Sequence, residues 1–456
     1  MRKTYRLLLS ATLLLLSVQS IHSQRSSSSA SLYLQREEQP DPVVYLPAPP
    51  DTCSYAYIDD FAQWQWGKTI RYTARGERAS EESLSGASIM ARIFSDATGI
   101  KIGRSETPAI YKLLSRSYST AEQSYKNAKE KYMRTRPFAQ YHEHPTGRYD
   151  NERSMRGSGS YPSGHTSRGM ASALVFAELM PEYQDTILRR GFEYGESRLI
   201  VAAHYQSDVY AGYTCASVCV AVMHSVPEFQ EDFEAARAEY IKIAGQKKDQ
   251  VIGYPDGRRI LSEPVDTASS RYYADVAQYF AAKTERSTAR GEQARADADL
   301  DYEAVMSNFS DALGLKIDAK STPAMAALVR ESRNALQRNA LDLGYVSKFR
   351  KRPYIQLGDA PFAGANDSQT SSFPSAGSEI GWGIALILSE IAPVHANEIL
   401  TRGYQMGVSG MITGQSWASD IHAGRIMASG MVARLHADAA FRKLLNDAKK
   451  EYESKK

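Results

Sequence analysis

Lys129 is followed seven residues later by Arg136 and Pro137. Then come Pro162, Ser163, Gly164 and His165, and after them Ser197 and Arg198, with His204 six residues beyond Arg198 and Asp208 four beyond His204. Three cations, two imidazoles and one carboxylate are the parts that phosphoryl transfer through a histidine requires. One histidine attacks phosphorus, the other protonates the leaving oxygen, and the cations hold the charge on the phosphoryl oxygens.

The spacing predicts how these groups are carried. Residues seven apart share a helix face, so Lys129 and Arg136 are expected on one helix that Pro137 ends. Ser163 and Gly164 precede an apolar stretch expected to be helical from about Thr166 to Leu179, which would turn their amides toward an anion. His204 and Asp208, at i and i+4, allow the carboxylate to fix one imidazole tautomer and leave the other nitrogen free. Arg198 and His204 would face different ways on one continuous helix, so a break is expected between them.

The rest of the chain supplies the setting. Its 456 residues exceed one ordinary domain, and a net charge of +3 gives no broad basic surface for a nucleic-acid polymer. Helix-period apolar spacing dominates and β-type alternation is nearly absent, so the fold class is all-α. The segment 95–102, Ser-Asp-Ala-Thr-Gly-Ile-Lys-Ile, returns at 310–317 as Ser-Asp-Ala-Leu-Gly-Leu-Lys-Ile. Arg75-Gly76-Glu77 returns as Arg290-Gly291-Glu292, Arg136-Pro137 as Arg352-Pro353, Pro162-Ser163 as Pro374-Ser375, and Asp208 as Asp420. Two tandem helical-bundle domains are therefore expected, over 42–245 and 265–456, joined by a polar linker at 246–264.

Arg2, Lys3 and Arg6 precede an apolar run from Leu7 to Leu16, the order of a secretory signal peptide, here set at 1–23; the run is short of the ~20 residues of a membrane span. A flexible Ser- and Pro-rich lead is expected over 24–41, and the protein is expected in the periplasm or secreted, with no integral span after signal removal. Cys53, Cys215 and Cys219 are too few for a disulfide scaffold. The polar stretch from Tyr141 to Ser160 is expected to border the pocket as a lid or specificity loop; its His142 and His144 lack further placed ligands, so no metal site is assigned.

Lys-x6-Arg-Pro, Pro-Ser-Gly-His and Ser-Arg-x5-His-x3-Asp, filled by Lys129 through Asp208, resemble the signature of the type 2 phosphatidic acid phosphatase superfamily. The run 159–166, Gly-Ser-Tyr-Pro-Ser-Gly-His-Thr, is similar to the bacterial class A non-specific acid phosphatases. The resemblance implies a helical fold of the phosphatase/haloperoxidase type and an acid phosphatase acting on small phosphorylated substrates without a metal or other cofactor. It implies His204 as nucleophile, Asp208 as its orienting partner and His165 as general acid, with Lys129, Arg136, Ser163, Gly164 and Arg198 binding phosphate. Vanadium haloperoxidases share this pocket, so a vanadium-dependent haloperoxidase remains an alternative reading, as does a periplasmic phosphatase of lipid phosphates or pyrophosphate; membrane-embedded lipid phosphatases share the motifs but need several spanning helices.

In the second half Tyr345 stands for Lys129, Gly377 for His165, Gly410 for Arg198 and Ser416 for His204. Nucleophile, acid and two cations are lost, so this half is expected to be inactive, structural or substrate-binding, and to form a pseudo-dimer with the first half inside one chain.

Overall fold

The computed structural model describes residues 32–245, 253–346, 349–360, 362–363 and 370–456. Among them every regular element is helical, as the apolar spacing predicts. The first half carries α1 (Tyr57–Ile70), α2 (Ala74–Glu81), α3 (Ala87–Thr98), α4 (Pro108–Ala121), α5 (Lys126–Tyr132), α6 (Gly164–Leu179), α7 (Gln184–Ile200), α8 (Gln206–Met223) and α9 (Pro227–Ala244). The second carries α10 (Ser270–Lys283), α11 (Ala289–Asp297), α12 (Tyr302–Leu313), α13 (Pro323–Val346), α14 (Ala376–Ile391), α15 (Ala396–Thr413), α16 (Ala418–His436) and α17 (Ala439–Lys455).

Local chemistry sets the boundaries. Pro108 and Pro227 open α4 and α9 at the first helical position, where the missing N–H costs nothing. Gly99 and Gly314 end α3 and α12 in the left-handed conformation, with φ of 74° and 68°. Helix α6 is buried at all but one of its positions because α7 and α8 cover it. Helix α14 lies in the same way against α15 and α16. Each large apolar side chain fully buried in these layers contributes roughly 1.5–3 kcal/mol.

The halves share their interior. Ala423, Ile426 and Met427 of α16 lie in the first half's core with Leu174 and Val209, while Ala211, Cys215 and Val218 of α8 lie in the second half's core with Trp382 and Met431. Trp382 donates its indole N–H to Ser217 Oγ at 3.1 Å. Tyr210 stacks on His422 with ring centroids 3.8 Å apart; each lies two places after the Asp of its half, Asp208 and Asp420. His224 and His436, sixteen places after the same two residues, meet at 4.2 Å. Around this second contact, His224 lies 2.9 Å from Glu178, and His436 holds Glu390 at 2.7 Å, which in turn takes Lys449 at 2.6 Å.

Three expectations meet a different outcome or fall outside the described residues. The signal segment 1–23 and the lead as far as residue 31 lie outside them. The remainder of the lead is packed rather than flexible: Tyr33 is 1% exposed, donates its hydroxyl to Asp232 at 2.8 Å and carries the Arg116 guanidinium on its ring face. One buried aromatic with a partnered hydroxyl outweighs the polar composition around it. The expected linker is outside the described residues at 246–252, and its remainder rests on α7, where Gln184 donates to Gly253 O and Arg189 to Ile260 O. All three cysteines are free thiols, Cys53 exposed and the other two buried. Among the described residues no single helix is long and apolar enough to cross a membrane.

Candidate active site

Lys129 and Arg136 do not share a helix. Helix α5 stops at Tyr132 because Met133 turns left-handed with φ of 41°. The chain then runs extended to Arg136, whose ψ of 153° is the conformation favoured before a proline. The two cations still converge, since Lys129 Nζ and Arg136 Nη2 both donate to Gly159 O, at 2.8 and 3.2 Å. Burial, then the neighbouring Arg136 charge, pushes the Lys129 ammonium down to about 7. Burial, then Arg198, pushes Arg136 down to about 10.

Ser163 caps α6, which begins at Gly164, two residues before the expected start. Its Oγ accepts from the Thr166 hydroxyl at 2.8 Å and the Thr166 amide at 3.3 Å. Its own N–H donates to Asp208 O at 2.9 Å, so the hydroxyl, not the amide, is what Ser163 can offer a ligand. Gly164 is required by contact: a Cβ there would stand 2.3 Å from the Tyr125 ring. His165, in the first turn, stacks on Tyr194 at 4.1 Å with 19° between the rings, and its Nε2 is buried without a partner. Burial, then the Arg198, Arg168 and His204 charges, holds this imidazole well below the ordinary histidine range.

The expected break between Arg198 and His204 is present. Helix α7 ends at Ile200, Ala202 is left-handed at φ 61°, and the amides of Ala203 and His204 both close onto Arg198 O. His204 thus precedes α8, while Asp208 lies in its first turn and accepts from the Tyr205 amide at 2.9 Å. Asp208 Oδ2 stands 3.4 Å from His204 Nδ1, and on the other edge of the ring Arg136 Nη1 donates to Nε2 at 3.0 Å. Burial and the Arg136 charge push His204 well below its ordinary range, with Asp208 opposing them. The imidazole is therefore neutral, its proton on Nδ1 toward the carboxylate and its lone pair on Nε2.

Arg134 with Asp60, which the sequence reading did not name, and Asp150 of the expected border loop complete this frame. Arg134 donates to Asp208 Oδ1 and to Asp60 Oδ2, each at 2.7 Å. Burial would raise the Asp208 carboxyl, but Arg134, His204 and the Tyr205 amide hold it far below the usual carboxylate range. Asp60 is pushed up to about 6, chiefly by burial, with Arg134 opposing and the Asp208 charge adding to the rise. The second addition is Asp150, whose Oδ1 accepts from Arg198 Nη2 at 2.6 Å. Arg134-Thr135-Arg136-Pro137 is echoed by Arg350-Lys351-Arg352-Pro353, a signal from which Arg134 was accessible; Asp150 falls inside the 141–160 stretch expected to border the pocket.

The expected border loop reaches the site. Met155 O, Ser158 O and Ser158 Oγ accept from Arg136, and Asp150 meets Arg198. His144 pairs with Glu152 at 2.8 Å on the surface, and His142 is exposed.

In the second half the frame persists around altered chemistry. Arg350 joins Asp420 and Asp275 at 2.6 and 2.7 Å, as Arg134 joins Asp208 and Asp60. Ser409 Oγ and Arg402 hold Asp297, as Ser197 Oγ and Arg190 hold Glu82. Where His204 would stand, Ser416 Oγ donates to Ser375 Oγ at 2.9 Å, and Gly377 and Gly410 leave no side chain. The Tyr345 side chain lies outside the described residues.

Residues 113–231 match the PAP2 superfamily. The chain is 42% identical over 212 residues to the non-specific acid phosphatase of Providencia stuartii, covering 46% of this chain and 85% of that protein. It is 37% identical over 220 residues to the non-specific acid phosphatase of Salmonella typhimurium (47% and 86%), and 31% identical over 223 residues to an acid phosphatase of Zymomonas mobilis (49% and 83%).

Proposed function

The chain belongs to the PAP2 superfamily and is an acid phosphatase, and we propose that it works through a phosphohistidine formed on His204. The observation that carries this reading is the chain of contacts from Arg134 through Asp208 and His204 to Arg136. It leaves one neutral imidazole with its lone pair on Nε2, at the point where a cationic clamp begins.

A phosphate monoester bound among Lys129, Arg136, Arg198, the Ser163 hydroxyl and the Gly164 amide would draw the Arg136 donors onto its oxygens and free Nε2. Nε2 then bonds to phosphorus as the ester P–O bond breaks, and His165 gives its proton to the departing oxygen. Water next attacks phosphorus, passes a proton to His165, and the P–N bond breaks to release orthophosphate and restore both histidines. The buried His165 needs the substrate's negative charge to hold that proton, which favours turnover at acid pH.

The second half, with Ser416, Gly377 and Gly410 at the matching positions, serves as a structural partner in an intramolecular pseudo-dimer. The stacked Tyr210–His422 pair and the tilted His224–His436 pair support that arrangement. Export to the periplasm or medium is supported by the Arg2, Lys3 and Arg6 cluster ahead of the apolar run.

The test is hydrolysis of a chromogenic phosphomonoester by the purified protein, with denaturing quenching in alkali during turnover, because a P–N bond survives base and is cleaved by acid. A phosphorylated protein lost in His204→Ala is expected; full activity in that variant would overturn the reading.

A further inference from the structure

Of the three cations assigned to the phosphate clamp, Arg198 is the one that meets a carboxylate. Lys129 donates to a backbone carbonyl, and Arg136 to carbonyls, the Ser158 hydroxyl and His204. Arg198 and Asp150 touch through a single 2.6 Å bond, with side chains 4% and 6% exposed. The rest of both groups is bare: Arg198 Nε and Nη1 and Asp150 Oδ2 are buried without partners. A buried guanidinium using one of its three nitrogens, against a carboxylate using one of its two oxygens, is an under-satisfied pair. Among the described residues nothing else neutralises Arg198.

Asp150 is delivered to this point by a firmly seated backbone. Thr146 N–H donates to Val201 O at 3.1 Å, Arg148 N–H to Ser80 O at 3.1 Å, and Tyr149 N–H to Ser83 Oγ at 2.9 Å. Ser80 Oγ returns a bond to Thr146 O at 2.8 Å. Gly147 makes room for the side chain, since a Cβ there would lie 2.2 Å from Asp150 Oδ2. The loop is pinned to the end of α2 and to the turn after α7, and the Asp150 carboxylate is held beyond it by one polar contact, to Arg198.

We propose that Asp150 is a built-in counter-ion that holds Arg198 in the empty site and competes with phosphate for it, setting how tightly the site keeps its substrate and its product. A bound phosphate oxygen can satisfy the bare Nε and Nη1 edges, but a phosphate dianion and the Asp150 carboxylate repel each other strongly at such range in a site this buried. Entry of the ester therefore displaces the carboxylate from Arg198, and its return helps expel orthophosphate. No covalent step is involved; one anion replaces another on the same guanidinium. Asp150 is in this respect an affinity-setting residue, distinct from the groups that touch the reacting atoms.

This rests on the phosphatase reading, and the experiment separates the two. Orthophosphate binding is measured by calorimetry on the full chain, wild type and Asp150→Asn, together with phosphate inhibition of chromogenic ester hydrolysis; Asp150→Ala is run beside them against a folding defect in either variant. The expected result is that both variants bind orthophosphate more tightly, by about tenfold or more, with a matching fall in the inhibition constant. Equal affinity in all three proteins overturns the proposal. So does weaker binding in both variants, which would make Asp150 a brace that positions Arg198. Failure of the wild type to hydrolyse the ester or bind orthophosphate overturns the phosphatase reading itself, and this inference with it.

Discussion

Arg136 donates to His204 Nε2 at 3.0 Å, on the edge of the ring opposite the one that faces Asp208. Arg136 and His204 are therefore hydrogen-bonded before any substrate arrives, and because a guanidinium can only donate, this contact fixes the lone pair of His204 on Nε2, with Asp208 3.4 Å from Nδ1. Asp208→Asn keeps the shape of this unit and removes its charge. We expect kcat on a chromogenic phosphomonoester to fall by roughly 10²- to 10⁴-fold with KM little changed, measured by steady-state kinetics.

Arg134 separates the role of the frame from that of the clamp. Arg134→Met strips a buried cation from Asp60 and Asp208, so stability should fall by ~3–5 kcal/mol and activity with it. Arg350→Met removes the corresponding cation from Asp275 and Asp420 and should cost about as much in denaturant unfolding. Its KM for the ester should nevertheless stay within about twofold of wild type, because no clamp residue depends on it.

Lys129 links the pH profile to one group. With its ammonium pushed down to about 7, the clamp is complete below that pH and loses a charge above it. In the free enzyme kcat/KM should decline as pH rises through this value, and Lys129→Arg, whose guanidinium stays charged, should move the alkaline limb upward. Stability has the opposite sign. The folded value lies below the unfolded one, so the unfolded chain binds more protons between about 7 and 10.5, and stability contributed by this group rises with pH across that window.

The contact between the halves makes a separate thermal prediction. His436 donates from both ring nitrogens, to Val432 O and to Glu390, and although burial opposes it, the Glu390 charge holds this imidazole above its ordinary value. A raised histidine contributes stability that is full below pH 6.5 and is lost as pH rises through the folded value. Melting temperature should drop as pH rises above 6.5 through the folded value, and His436→Gln should flatten that drop as read by scanning calorimetry.

How much of this was legible in the sequence depends on how each residue is held. His204, Asp208 and Arg198 were readable because their spacing encodes a helix end, a turn and a helix start, and the turn at Ala202 falls where that spacing requires it. The shared helix for Lys129 and Arg136 was misread because a left-handed Met133 carries no sequence mark, unlike Gly99 or Gly314. Arg134 was open to view in the doubled Arg-x-Arg-Pro, but spacing alone does not tell a buried arginine from an exposed one. Asp150 was placed in the stretch bordering the pocket, but its pairing with Arg198 was not legible, since that meeting is made by tertiary contacts of a loop on α2. Tyr33 shows the same limit in reverse: polar composition around it predicted a free lead, and one aromatic docked against Asp232 and Arg116 decided otherwise.

The interior shared by α6 and α8 with α14 and α16 bears on what dilution can do to this enzyme. A dimer of separate chains loses its partner surface once its concentration drops below the dissociation constant. Here that surface travels on the same polypeptide, at an effective concentration that a short connector fixes in the millimolar range. The half that carries the proposed site keeps its neighbour however few molecules share a volume, and specific activity should be the same at picomolar as at micromolar enzyme.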